Sequence, residues 1–140
     1  MIHTIIFDIG NVLIDFCWRK MFQGFGLEGE DFENVANATV RNQDWNEFDR
    51  GVLSVEEIID RFAEKAPEYR SYIAKIFEDP RKMIEQYDYA KGWIQELKDR
   101  GYKVYILSNW SEPTYYACRD NELDFLPLVD GAVFSFQEHL

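Results

Sequence analysis

Two short segments place chemically useful side chains directly after apolar runs. In IIFDIGNVLID the run Ile5-Ile6-Phe7 delivers the carboxylate of Asp8, followed by a Gly10-Asn11 turn. A carboxylate at a strand's carboxyl end, beside a turn able to present backbone amides, can attack a phosphorus or carbon electrophile. An isolated Asp at such a place also serves as a plain turn cap. In VYILSNW a second apolar run delivers the hydroxyl of Ser108 and the amide of Asn109. Groups so placed can hold a phosphoryl oxygen, or act only as turn and cap residues.

The elements around them read as an α/β chain. Residues 2–7 contain the β-branched Ile2, Thr4, Ile5 and Ile6 and predict a largely buried strand ending at Asp8. Residues 102–107 predict a second strand, and residues 132–136 a third after the Asp130-Gly131 turn signal. Ahead of the second strand, Tyr89, Trp93, Ile94 and Leu97 share one helical face, and Gly101 stands where a left-handed cap would end the helix. A helix, Gly, strand rhythm points to a Rossmann-like parallel sheet covered by helices, with its ligand crevice beyond the carboxyl ends of the strands.

The long connection between the first two strands is helical by pattern, with no competing strand run. Trp18, Met21, Phe22 and Phe25 are spaced for one helical face, as are Phe32, Val35, Ala36, Thr39 and Val40. Asp44 with Glu47, and Ser54 with Glu57, match the capping-box spacing. The stripe Val55, Ile58, Ile59, Phe62, Ala63, Ala66 follows, and Pro67 precedes a last helix marked by Tyr69, Tyr72, Ile73, Ile76 and Phe77. Trp18, Trp45 and Trp110 are candidates for the rim of a site, with core packing favoured for the first two.

With Lys+Arg 15 against Asp+Glu 26, the net charge of −11 repels phosphate backbones and anionic membranes, so we expect neither nucleic acid nor membrane as a partner. A divalent cation can reverse that field inside one pocket, so a small phosphorylated substrate stays compatible. Cys17 and Cys118 lie far apart with no metal-type spacing, and His3 and His139 form no cluster. No apolar run is long enough to span a bilayer and the start lacks a signal-peptide pattern, so a cytoplasmic location is expected.

The order apolar strand, Asp-x-Gly-Asn-Val, helical insertion, helix, Gly, strand, Ser-Asn resembles the haloacid dehalogenase superfamily over essentially the whole chain. FDIGNVLID and WNEFDRGVLSVEE resemble the branch containing sugar-1-phosphate phosphatases. The resemblance implies an α/β core over residues 1–15 and 86–140 and a helical cap over residues 16–85. It implies a Mg²⁺-dependent hydrolase of a small phosphorylated metabolite, such as a sugar phosphate. Asp8 matches the nucleophile that forms an aspartyl phosphate, Asp8 and the Gly10 carbonyl match Mg²⁺ ligands, and Ser108 matches the residue holding the phosphoryl group. Asn11, Asn109 and Trp110 stand beside these as candidate substrate-binding residues.

Two departures from the family pattern bear on mechanism. Most phosphatases of the superfamily carry an acid–base Asp two residues after the nucleophile; here that residue is Gly10. General acid help is worth ~10²–10⁴-fold, so its loss favours good leaving groups unless Asp15, a cap residue or solvent supplies the proton. The family's later Lys and acidic metal-binding pair are also missing: no Lys occurs after Asn109, and no two Asp residues are adjacent. We therefore expect a further C-terminal part of the protein to complete the sheet and the site, and the 140 residues alone to be inactive. The alternatives are metal-free hydrolysis of a carbon–halogen bond by Asp8 and a non-catalytic binding module.

Overall fold

The computed structural model describes residues 1–139. The first apolar run forms β1 (Thr4–Phe7), after which the chain turns back on itself. The carbonyl of Ile9 accepts from the amides of Val12, Leu13 and Ile14 at 3.1, 2.9 and 3.1 Å, a convergence that needs a left-handed residue. Asn11 supplies it with φ 59°, a conformation Asn tolerates better than most residues. A short strand, β2 (Ile14–Phe16), leads into five helices: α1 (Trp18–Gly24), α2 (Gly29–Ala38), α3 (Asp44–Asp49), α4 (Val55–Lys65) and α5 (Arg70–Glu78). The chain returns through β3 (Ile84–Gln86) and continues as α6 (Ala90–Asp99), β4 (Lys103–Ser108), α7 (Glu112–Cys118), β5 (Gly131–Phe134) and α8 (Ser135–Glu138).

The main sheet is parallel in the order β1-β4-β5, with Phe7 opposite Ile106 and Ser108 opposite Phe134. This is the expected α/β, Rossmann-like arrangement. One face carries Phe7, Val104, Ile106 and Phe134 into a core shared with Ile94 of α6 and with Phe22 and Val35 from the helical stretch. Each large apolar side chain fully buried there contributes roughly 1.5–3 kcal/mol. The other face is bare: Ile6, Leu107 and Val133 are 63%, 57% and 42% exposed.

β2 and β3 pair antiparallel, so the helical stretch leaves and returns at one place. Bonds from the Tyr87 amide to the Leu13 carbonyl and from the Cys17 amide to the Met83 carbonyl lengthen this neck at both ends. These strands correct the expectation that no strand interrupts the helical pattern; with three residues each they are too short to show a period of two. A stack of aromatic rings, Phe16 on Trp45 and Trp45 on Phe62, ties the neck to α3 and α4. A separate small core of Phe48, Ile58, Phe62, Ala63 and Ile73 holds α3, α4 and α5 together.

The Ser54 capping box forms with both reciprocal bonds, Glu57 N–H to Ser54 Oγ at 3.1 Å and Ser54 N–H to Glu57 Oε1 at 3.4 Å. The Asp44 box does not. Asp44 is already the first residue of α3, its amide donates to Asn42 Oδ1, and Glu47 pairs with Arg50 instead. Gly101 closes α6 at φ 90° as expected. The third strand stops at Phe134, two residues short of the predicted end, because Ser135 and Phe136 enter α8.

Candidate active site

β1 and β4 are neighbours in the sheet, so their carboxyl ends lie side by side and bring Asp8 next to Ser108 across a hundred residues of sequence. The Ser108 hydroxyl donates to Asp8 Oδ1 at 2.9 Å, and the Ile9 amide donates to the same oxygen at 2.7 Å. Ser108 is buried while Asp8 is exposed, so a fixed hydroxyl steers a carboxylate that solvent and ligands can reach. No described residue donates to the other oxygen of Asp8. The Gly10 carbonyl likewise accepts none of the described hydrogen bonds, and space beside its Cα is open to 4 Å.

Asn109 follows Ser108 on the exposed side, and Trp110 is buried; both line a cavity of about 200 Å³ that also reaches Gly10. Asn11 sits elsewhere. Its side chain turns toward the neck, where Oδ1 lies 3.5 Å from the amide of Phe16, and its backbone amide donates to Ile14. Of the other tryptophans, Trp45 lines the cavity as well as stacking in the aromatic column, whereas Trp18 packs on Phe22 and Phe32 away from it.

Two residues of this region escaped the sequence reading. Ser135, at the end of β5, is buried; it accepts from the Trp110 amide at 3.0 Å and donates to the Asp49 carbonyl at 2.7 Å. It completes a row of polar residues at three successive strand ends, and the same rule that marked Asp8 and Ser108 could have found it. Asp49 ends α3 and lines the cavity from the helical side. Burial pushes its carboxyl up to about 7, and no described residue hydrogen-bonds or pairs with it. Glu47 of α3 and Arg50 just after it are occupied with each other, and His139, just past α8, meets the Arg50 carbonyl at 3.0 Å.

The contact between α3 and the sheet end is tight at Gly51. Its φ is +73°, and a Cβ there would stand 2.8 Å from the Phe136 carbonyl oxygen, so neither the conformation nor the space admits a side chain. The Asp-Arg-Gly run is the sequence trace of this seam. Asp15 is directed differently: Ile14 and Phe16 line the cavity, and strand alternation turns the carboxyl between them to the opposite side, toward Cys17 and Tyr87. A wider hollow of about 400 Å³ beside Cys17, Lys20 and Arg81 contains none of the strand-end residues. Among the described residues no group of three or more His, Cys, Asp or Glu side chains forms a metal cluster, and no helix is long and apolar enough to cross a membrane.

The chain belongs to the haloacid dehalogenase-like hydrolases, whose family model matches residues 2–139. A haloacid dehalogenase family enzyme of Bacteroides thetaiotaomicron, solved as a magnesium complex, is similar with a TM-score of 0.69 and 16% identity, over 99% of this chain and 70% of its own. The L-2-haloacid dehalogenase of Xanthobacter autotrophicus with chloropropionic acid covalently bound gives 0.62 and 15%, over 100% of this chain and 59% of its own. A further dehalogenase structure gives 0.64 and 16%, over 99% and 65%. No curated protein sequence matches. At these identities the structural likeness defines the fold, and the similar structures include both an enzyme solved as a magnesium complex and dehalogenases.

Proposed function

We propose that this protein is a phosphomonoester hydrolase that uses Mg²⁺ and acts on a small phosphorylated metabolite such as a sugar phosphate, through an aspartyl phosphate at Asp8. The observation that carries this reading is the 2.9 Å bond from Ser108 to one Asp8 oxygen, with no described residue donating to the other. Asp8 attacks phosphorus with one carboxylate oxygen, the P–O bond to the leaving group breaks, and water later cleaves the acyl phosphate. Ser108 Oγ, fixed by burial, orients the carboxylate and then a phosphoryl oxygen.

The unengaged Asp8 oxygen and the Gly10 carbonyl are hard oxygen donors of the kind Mg²⁺ takes, and these are the residues that would hold it. Bound there, the ion would neutralise charge on the phosphate. Helices α1 to α5, approximately residues 16–85, act as a cap whose neck is the β2–β3 pair, and Trp45 and Trp110 on the cavity wall suit a sugar or another small ligand. Asn109 contacts the substrate, whereas the position of Asn11 favours a role in shaping the turn. The acid balance and the unpaired Cys17 and Cys118 fit a reducing, cytoplasmic setting.

The 140 residues contain no Lys after Asn109 to balance nucleophile and phosphate, and we infer that further chain supplies that Lys, the acidic metal ligands and a cover for the bare sheet face. The 140-residue chain alone is expected to turn over phosphate esters negligibly. The test is hydrolysis of a chromogenic phosphate ester by the full gene product with and without Mg²⁺. Metal-dependent turnover supports the proposal; metal-independent halide release from a 2-haloacid, with no phosphate turnover, replaces it with dehalogenation.

A further inference from the structure

Resting on the phosphatase reading, we infer that Asp49 is the general acid and base of the reaction, supplying from the helical side the proton transfer that Gly10 cannot. Four observations meet on this residue. The position two after the nucleophile has no side chain and open space around it. Among the described residues lining the cavity that touches Gly10 and Asn109, Asp49 is the one with an ionisable side chain. The Asp49 backbone is pinned to the strand ends by Ser135 through its own carbonyl, by His139 through the next one, and by the glycine-only packing of Gly51 on Phe136. Asp15, the other carboxyl near the turn, is turned away from the cavity.

In the first half-reaction an Asp8 oxygen bonds to phosphorus while the bond from phosphorus to the leaving oxygen breaks, and the Asp49 carboxyl passes its proton to that oxygen, releasing a neutral alcohol. In the second, the Asp49 carboxylate takes a proton from water as the water oxygen bonds to phosphorus and the Asp8–phosphorus bond breaks. Inorganic phosphate leaves and both carboxyls return to their starting states. A carboxyl raised toward neutrality by burial holds a proton for the first step and can regain one in the second.

The experiment compares two esters in the full gene product with Mg²⁺. With glycerol 2-phosphate, whose alkoxide must be protonated, Asp49→Asn is expected to lower kcat/KM by roughly 10²–10⁴-fold. With 4-nitrophenyl phosphate, whose phenolate leaves unaided, the loss in the phosphorylation step is expected to stay within about fivefold. Asp49→Glu keeps a carboxyl and is expected to recover at least about tenfold of the alkyl-ester loss. Equal losses on both esters, or none on either, overturn the assignment while leaving the phosphatase reading in place. A wild type inert toward both esters overturns the two together.

Discussion

Gly10 and Asn109, just past the strand ends, and Asp49 of the helical stretch line one cavity, but the strand ends and the helical stretch are held in different ways. On the strand side, Asp8, Ser108 and Ser135 follow parallel strands whose register is fixed by the ladder, and their hydrogen bonds run to one another or to backbone. On the helical side, Asp49 rests on a narrow seam made by Ser135, His139 and Gly51, and its carboxyl meets no partner among the described residues. The contrast separates two tasks. On the proposed reading the nucleophile needs a fixed direction, which the sheet provides, and the proton donor needs an environment that shifts its affinity, which half-burial without a described partner provides.

Substitutions at the two sides should therefore fail differently. Asp8→Asn removes the attacking oxygen and is expected to lower phosphate-ester turnover by roughly 10⁴-fold or more, with unfolding unchanged because Asp8 is exposed. Gly51→Val puts a branched side chain at a positive φ against the Phe136 backbone and should cost roughly 3 kcal/mol or more in denaturant unfolding. Ser108→Ala keeps the nucleophile but loses its guide, and about 10²-fold in kcat is expected, with little change in stability.

Asp49→Asn gives a pH-dependent signature on stability. The folded carboxyl keeps its proton up to about pH 7, whereas the unfolded one releases it near 3.8. The cost of ionising it in the fold is absent below about pH 4, grows between, and is complete above about pH 7. The Asn variant should thus match wild type at pH 4 and exceed it by roughly 2 kcal/mol at pH 8, a value already reduced for solvent reaching the cavity. Ser54→Ala marks the smallest effect: loss of the α4 cap, at a residue that does not line the cavity, should cost about 1 kcal/mol and leave kcat unaltered.

The strand side was legible because its signals are local. An apolar run followed at once by Asp8, or by Ser108-Asn109, states both the strand and the end at which these polar side chains meet, and Gly101 and the Ser54 box announce their helix ends equally directly. The neck was invisible because Ile14–Phe16 and Ile84–Gln86 become strands only by pairing with each other across the helical stretch. Asp49 was hidden for a related reason. Nothing in WNEFDRG distinguishes its carboxyl from a solvated one; its character comes from burial among residues of β2, α3 and α7 and from the seam to α8. The Asp44 box shows the reverse error, a correct spacing overridden when Asn42 reached the helix start first.

The most direct test of the central claim is to look for the bond that Asp8 is said to form. The full gene product, mixed with Mg²⁺ and a phosphate ester and quenched in acid, should carry a phosphoryl group on the peptide containing Asp8 by mass spectrometry, absent without Mg²⁺ and absent in Asp8→Asn. A phosphate ester consumed at an undiminished rate by Asp8→Asn, or an Asp8 ester formed from 2-chloropropionate without metal in place of the acyl phosphate, would contradict the account.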